Sequence, residues 1–237
     1  MATVGDTFTE VTSNADLDAH TPTGANAGTS WVKIEQTGAH RLQANASLDL
    51  CLTSSSEVDD RYLATIRPSP TSTSYTTTMT RTLLDASTNV RPVFVIGYLS
   101  DLNNYYSMGG YHSGAAADAK IYKKVAGVVT NIASGDTEWA NGDTLAGEFA
   151  PGSQKLLKNG STVISATDTD LSGPGQTGLG IGNAWVSTDD IGVDRLDDFA
   201  YVESVSGIVH APFSSPIFKS RLFNPCIFLA ASLVLGI

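Results

Sequence analysis

Nucleophilic and metal chemistry would fall to four histidines (His20, His40, His112 and His210) and two cysteines (Cys51 and Cys226), and neither set forms a working pattern. No histidine adjoins a nucleophile elbow, and serine is spread throughout, so the spacing indicates no Ser–His–acid triad. The cysteines form no CxxC or Cys/His pattern. They read as two buried thiols, neither a zinc site nor a disulfide framework. Asp189, Asp190, Asp194, Asp197 and Asp198 gather oxygen donors of the kind calcium takes, with Asp194, Asp197 and Asp198 the candidate ligands. Their spacing is not that of an EF-hand loop, and turn residues or solvated strand edges explain them more simply. Asp168 and Asp170 read the same way. No cofactor is implied beyond this calcium option.

Saccharide recognition needs aromatic faces on which a pyranose can stack, with amides and carboxylates for its hydroxyls. Tyr105, Tyr106, Tyr111, His112 and Trp139 fall in or beside loops and are the candidates. Their alternative role is to fill the interior or its rim, as large aromatics do. Nucleic acid is excluded by charge. The chain carries a net −10 and no cluster of Lys and Arg to offset it, so a phosphate backbone would be repelled.

The elements that must hold these residues are strands. Only 16% of the 237 residues are charged, while Thr, Ser, Gly and Ala abound, which suits a turn-rich sheet protein. Leu48, Leu50 and Leu52 alternate with Asp49 and Cys51, and Tyr75 to Leu83 alternate with threonines. Val93-Phe94-Val95-Ile96 is continuous, as in a strand buried on both faces. About a dozen such segments alternate with short Gly, Asn, Asp and Ser clusters, the spacing of a two-sheet sandwich. Gln154–Lys158, Asn159-Gly160 and Ser161–Ser165 spell a hairpin with a type I′ turn, whose two central residues need positive φ. Gly178-Leu-Gly180-Ile-Gly182 reads as a Gly-rich strand and not a phosphate cradle, because no helix pattern follows it. Ala115–Ala119 is assigned to the loop before the Ile121 strand.

Composition changes near Ser206. The sequence divides into a sandwich over 1–206 and a Pro-punctuated apolar arm over 207–237, with Pro212, Pro216 and Pro225 as the breaks. The last dozen residues would span about 18 Å as a helix, short of a hydrocarbon core of about 30 Å. A membrane span is therefore not expected. The arm reads as a docking segment, with Phe218, Phe223, Ile227, Phe228 and Leu229 meeting a partner subunit, and an oligomer is expected.

Several segments in order carry a family resemblance: Asp6-Thr-Phe8, Leu17-Asp-Ala-His20-Thr-Pro22, Gly28-Thr-Ser-Trp31, Asn104-Tyr-Tyr106, Ile121–Lys124, Asp143-Thr-Leu145, Ser165–Asp170 and Val193–Phe199. Over about residues 5–205 the chain resembles the concanavalin A-like lectin/glucanase (laminin-G-like) modules found in phage and bacterial proteins. The resemblance implies an all-β, two-sheet antiparallel jelly roll whose last strand returns beside the first, with one face suited to glycans. Related glucanases carry a Glu-x-Asp-x-x-Glu strand whose carboxylates flank the scissile bond. No such triplet occurs here, so the expectation is a non-enzymatic module. The leading reading is a virion structural protein (capsid decoration, head fibre or tail-associated), made in the host cytoplasm without a signal peptide, with host-surface glycans as an optional contact. The alternative is a free lectin or adhesion domain, extracellular or at a cell surface.

Overall fold

The computed structural model describes residues 3–8, 15–36, 41–44, 50–53, 61–83, 93–113, 116–182 and 195–204. The arm over 207–237, with all five of its proposed docking residues, lies outside the described residues. Sixteen strands are described. The first eight are β1 Thr3–Asp6, β2 Ala15–Asp16, β3 Ser30–Gln36, β4 Arg41–Ala44, β5 Leu50–Thr53, β6 Arg61–Arg67, β7 Tyr75–Leu83 and β8 Val93–Asp101. The rest are β9 Asn104–Ser113, β10 Ala116–Val125, β11 Val128–Asp136, β12 Thr144–Ala150, β13 Ser153–Lys158, β14 Ser161–Ala166, β15 Gln176–Gly182 and β16 Arg195–Glu203. A single 3-10 turn, Leu17–Ala19, is the one helical element among the described residues.

The strands form two antiparallel sheets. One has nine strands in the order β14-β13-β12-β7-β16-β5-β4-β2, with β1 paired to β16; the other has seven, β11-β10-β9-β8-β15-β6-β3. The last strand does return beside the first, with Val4 opposite Tyr201 and Asp6 opposite Phe199. The two-residue beat of β7 places Tyr75, Thr77, Met79 and Arg81 inside while Thr76, Thr78 and Thr80 stay half-exposed. From the facing sheet Trp31, Tyr62, Val95, Tyr106, Met108, Ile121 and Leu179 meet them in one core. The hairpin is as read from sequence, Asn159 at φ 50 and Gly160 at φ 78.

One expectation is corrected. Ala116–Ala119 is not loop but the opening of β10, in register with Ser113, His112, Tyr111 and Gly110 of β9. Alanine is a poor strand former in isolation, and pairing on an existing edge overrides that preference.

The first segments of the family resemblance converge on one buried carboxylate. Asp6 is 1% exposed. Its Oδ1 accepts from Phe8 N at 2.9 Å and Thr23 N at 3.0 Å, and its Oδ2 accepts from Trp31 Nε1 at 2.6 Å. His20 Nε2 sits 3.2 and 3.1 Å from the two oxygens. Phe8 stacks on Trp31, and Trp31 meets Phe199 edge-on at 4.9 Å. The carboxylate thus ties β1, the loop to β3 and β3 itself into one unit.

Phenols fix the loops around Pro68, Thr73 and Pro174. Tyr75 Oη donates to Pro174 O and accepts from Tyr98 N, Tyr98 Oη donates to Thr73 O, and Tyr201 Oη donates to Pro68 O. Burial pushes the Tyr98 and Tyr201 phenols up to about 12, so both keep the proton they donate.

Candidate functional site

Cross-strand register sorts the side chains of the seven-stranded sheet into an inner and an outer face. Val95, Met108, Ile121 and Leu179 are core residues, so their neighbours Ile96, Ser107, Tyr122 and Gly178 lie on the outer face. The centre of that face is apolar and closed. Leu63 and Ile96 are fully buried, Leu99 and Tyr105 nearly so, with Ile34 and Phe94 packed against them. Gly180 admits the layer, because a Cβ there would stand 2.4 Å from the Phe94 ring and 2.5 Å from Leu63 Cδ2.

Towards β11 the face turns polar and opens. Tyr122 is half-exposed, opposite Ser107 on β9 and Asn131 on β11. Lys120 and Lys124 stand two residues to either side of it, and Asn131 Nδ2 donates to Ser134 Oγ at 2.7 Å. The Lys124 ammonium lies 5.5 Å above the Tyr105 ring. This strip sets an accessible aromatic among hydroxyl, amide and ammonium groups, the chemistry that orients a sugar ring. In sequence Tyr122 is one beat of an alternating strand, with no signal that separates it from its neighbours.

Of the five aromatic candidates, Tyr105, Tyr106 and Trp139 have described side chains, and these three form no exposed platform. Tyr105 is 6% exposed on the outer face, while Tyr106, the next residue, is fully buried on the inner one. Tyr106 Oη donates to Asp168 Oδ1 at 2.5 Å, and Lys123 Nζ bridges Asp168 and Asp170. Burial, reinforced by that carboxylate, pushes the Tyr106 phenol far up. Burial also works against ionising Asp168, but the hydrogen bonds from Lys123 and Tyr106 prevail and hold it below its ordinary value. Asp168 and Asp170 therefore serve as a clamp on the β14–β15 loop.

Trp139 is 2% exposed. The Arg81 guanidinium lies 5.8 Å from its ring centroid and the Lys158 ammonium 5.9 Å, so its faces are given to cations of the chain itself. Lys158 also pairs with Asp143 at 2.9 Å. Of Tyr111 and His112 only the backbone, on β9, is described. Tyr105, Tyr106 and Trp139 thus present no open ring face for stacking.

Among the calcium candidates, Asp194 lies outside the described residues. Asp197 is half-buried, and its Oδ1 accepts from Asp198 N at 2.8 Å, while exposed Asp198 takes φ 51 where the pairing of β16 with β7 shifts register. These two shape a bulge. Among the described residues no three acidic, histidine or cysteine side chains gather as a metal group, and no helix is long and apolar enough to cross a membrane.

The sequence matches no protein-family model and no curated protein. Solved structures match in shape. The exoplasmic/lumenal domain of VIP36, in its Ca2+/Man-bound form, superposes with a TM-score of 0.55 over 88% of this chain and 92% of that one, at 7% identity. The beta-glucanase of Bacillus licheniformis gives 0.50 over 82% and 100%, at 13% identity. The carbohydrate binding module CBM66 from Bacillus subtilis gives 0.48 over 72% and 92%, at 17% identity. At these identities the likeness is one of fold. The chain is a concanavalin A-like jelly-roll sandwich, as the sequence resemblance implied.

Proposed function

We propose that the sandwich is a non-catalytic recognition module that holds a saccharide on the polar strip around Tyr122. The observation that carries this reading is the half-exposed Tyr122 ring flanked by Ser107, Asn131, Lys120 and Lys124 on a lectin-like fold. Its test is a glycan array with the wild type and Tyr122→Ala. Specific binding lost in that variant supports the reading, and binding that survives unchanged removes it.

The closed centre of the same face offers no acids for hydrolysis. At the centre of the face the outer residues Leu63, Thr65, Gly178, Gly180, Phe94, Ile96, Leu99, Tyr105, Ser107 and Gly109 carry no carboxylate. Described carboxylates stand away from that centre, Glu35 on β3, Asp101 at the end of β8 and Asp136 on β11, the last with Asp118 of β10 opposite it in register. Glu35 and Asp136 are six interstrand steps of about 4.8 Å apart, roughly 29 Å, beyond the separation of about 5–10 Å at which glycosidic cleavage places its two acids. Among the described residues this leaves Asp118 and Asp136 as the one acidic pair in register on this face. Glu57-Val58-Asp59, an alternating pair of acids before β6, lies outside the described residues. Reducing sugar released from a polysaccharide by the wild type but not by Glu57→Gln would make the module an enzyme.

The apolar, Pro-punctuated composition of 207–237 supports a second reading, that the module is strapped to a virion as a capsid decoration, head-fibre or tail-associated subunit. Co-sedimentation with assembled particles, lost on deleting residues 213–237, tests it. A truncated chain that still joins particles defeats it.

A further inference from the structure

Given that the strip around Tyr122 holds a saccharide, as proposed above, we infer that it selects one bearing a single isolated anionic group, a carboxylate or a sulfate on one ring. Along β10 the outer residues are Lys120, Tyr122 and Lys124. Their partners on β9 are Gly109, Ser107 and Tyr105, and those on β11 are Ser134, Asn131 and Val129, all uncharged. The two lysines lie four residues apart, about 13 Å between Cα atoms, with the half-exposed Tyr122 ring midway. Lys123 faces the other way and is taken by Asp168 and Asp170, so it adds nothing to this face.

Lysine chemistry sets the sign of the ligand. An ammonium is a compact, strongly hydrated group with three donors and nothing that accepts. Against a neutral hydroxyl it exchanges a water for an equivalent partner and gains little. Against an anion the hydrogen bond is charge-assisted and about twice as strong. The Lys124 ammonium lies 5.5 Å from the centroid of the Tyr105 ring, which seats it on the β9 side of the strip.

Acids at both ends limit how far the ligand's charge extends. Past Lys120, Asp118 on β10 stands opposite Asp136 on β11. At the Lys124 end, exposed Asp101 pairs with Asn104, next to the Tyr105 that faces Lys124. Asn103 N and Asn104 Nδ2 donate to Asp101 at 2.7 and 2.9 Å, and these bonds hold its carboxyl below the ordinary range. The chain as a whole carries −10. One anionic ring seated on Tyr122 lies between two ammoniums, whereas a polyanion running beyond the strip meets like charge at either end.

A glycan array of matched sets, probed with the full-length chain, tests this. Each set holds a neutral oligosaccharide, the same oligosaccharide with one uronate ring and the same with one sulfate, and heparin serves as the polyanion. Singly anionic members are expected to bind above both the neutral ones and heparin, and to weaken as salt rises. The stronger of the uronate and sulfate arms identifies the group. Lys120→Gln/Lys124→Gln keeps both stems and removes both charges. It should weaken the singly anionic glycan by about fivefold or more, down to the level of its neutral parent, with an unchanged circular dichroism spectrum. Lys155→Gln, the same change of charge on the other sheet, should leave binding as it was. Neutral members bound as tightly as the anionic ones, and lost in Tyr122→Ala, overturn this inference while the saccharide site stands. Heparin bound above the singly anionic members, a preference that survives in the lysine double variant, or an equal loss in Lys155→Gln also overturns it. Binding to no member removes both the inference and the site.

Discussion

Asp6 can sit at 1% exposure because backbone and side-chain donors meet both of its oxygens. Removing it orphans the Trp31 indole N–H and two backbone N–H groups at once, each already out of reach of water. Asp6→Ala is therefore expected to cost about 3–5 kcal/mol, the range for a buried group stripped of its charged partner, seen as a lower urea midpoint followed by Trp fluorescence. A change within about 0.5 kcal/mol, typical of surface sites, would show that the cluster holds nothing. Asp168 gives a pH-dependent counterpart. Although partial burial opposes its ionisation, Lys123 and Tyr106 hold it below the ordinary 3.8. A carboxyl whose folded pKa lies below the unfolded one adds stability in full above the unfolded value, and loses it as the pH falls through the folded value. Asp168→Asn should melt below the wild type at neutral pH, and the gap should close as the pH is taken down past 3.8. Thermal melts of both proteins across that range check this, and a gap that stays constant would remove the clamp.

Two glycines show how differently an element can depend on one residue. Gly160 stands at φ +78 in the β13–β14 turn, and a Cβ there would meet nothing within 4 Å. Gly160→Ala then reports backbone strain alone, about 1–2 kcal/mol, read as a shift in the denaturant midpoint. Gly178 lies inside β15, where a Cβ would stand 1.9 Å from Ala64 O on β6. Gly178→Ala should prise β15 from β6 and abolish the near-UV circular dichroism of the packed core; a native spectrum would show that the sheet can give way. The first glycine was legible because Asn-Gly between two strand patterns needs only local geometry. The second was read as part of a Gly-rich strand. Its reason is the close approach of a neighbour about a hundred residues away, which no local pattern records.

At the scale of the whole molecule, alternation says which residues share a face but not which face meets the other sheet. That is why Tyr105 and Tyr106 looked equivalent in sequence although one is outside and the other fills the core. It also explains why Tyr122 went unnoticed, since its exposure depends on β10 lying next to the sheet edge. The Val93–Ile96 run was legible because burial on both faces removes alternation altogether, and Val95 and Ile96 do fall in separate clusters. The facing of the two sheets is also written in hydroxyls. Thr77 on β7 and Thr177 on β15 approach to 2.6 Å across the core, and Thr177 Oγ1 donates to Ile96 O at 2.8 Å. With that donation made, the proton between the threonines comes from Thr77. Thr177→Val then strands both the Thr77 hydroxyl and this contact to Ile96 O, for about 2–3 kcal/mol, whereas Thr77→Val leaves only an unused lone pair, for about 1 kcal/mol or less. The double variant should fall short of the sum, because in the Thr177→Val background the second change removes a hydroxyl that had become a liability. Urea titrations of the four proteins measure this coupling. Additive costs would mean that the two hydroxyls do not bond, and that apolar packing alone joins the sheets at this point.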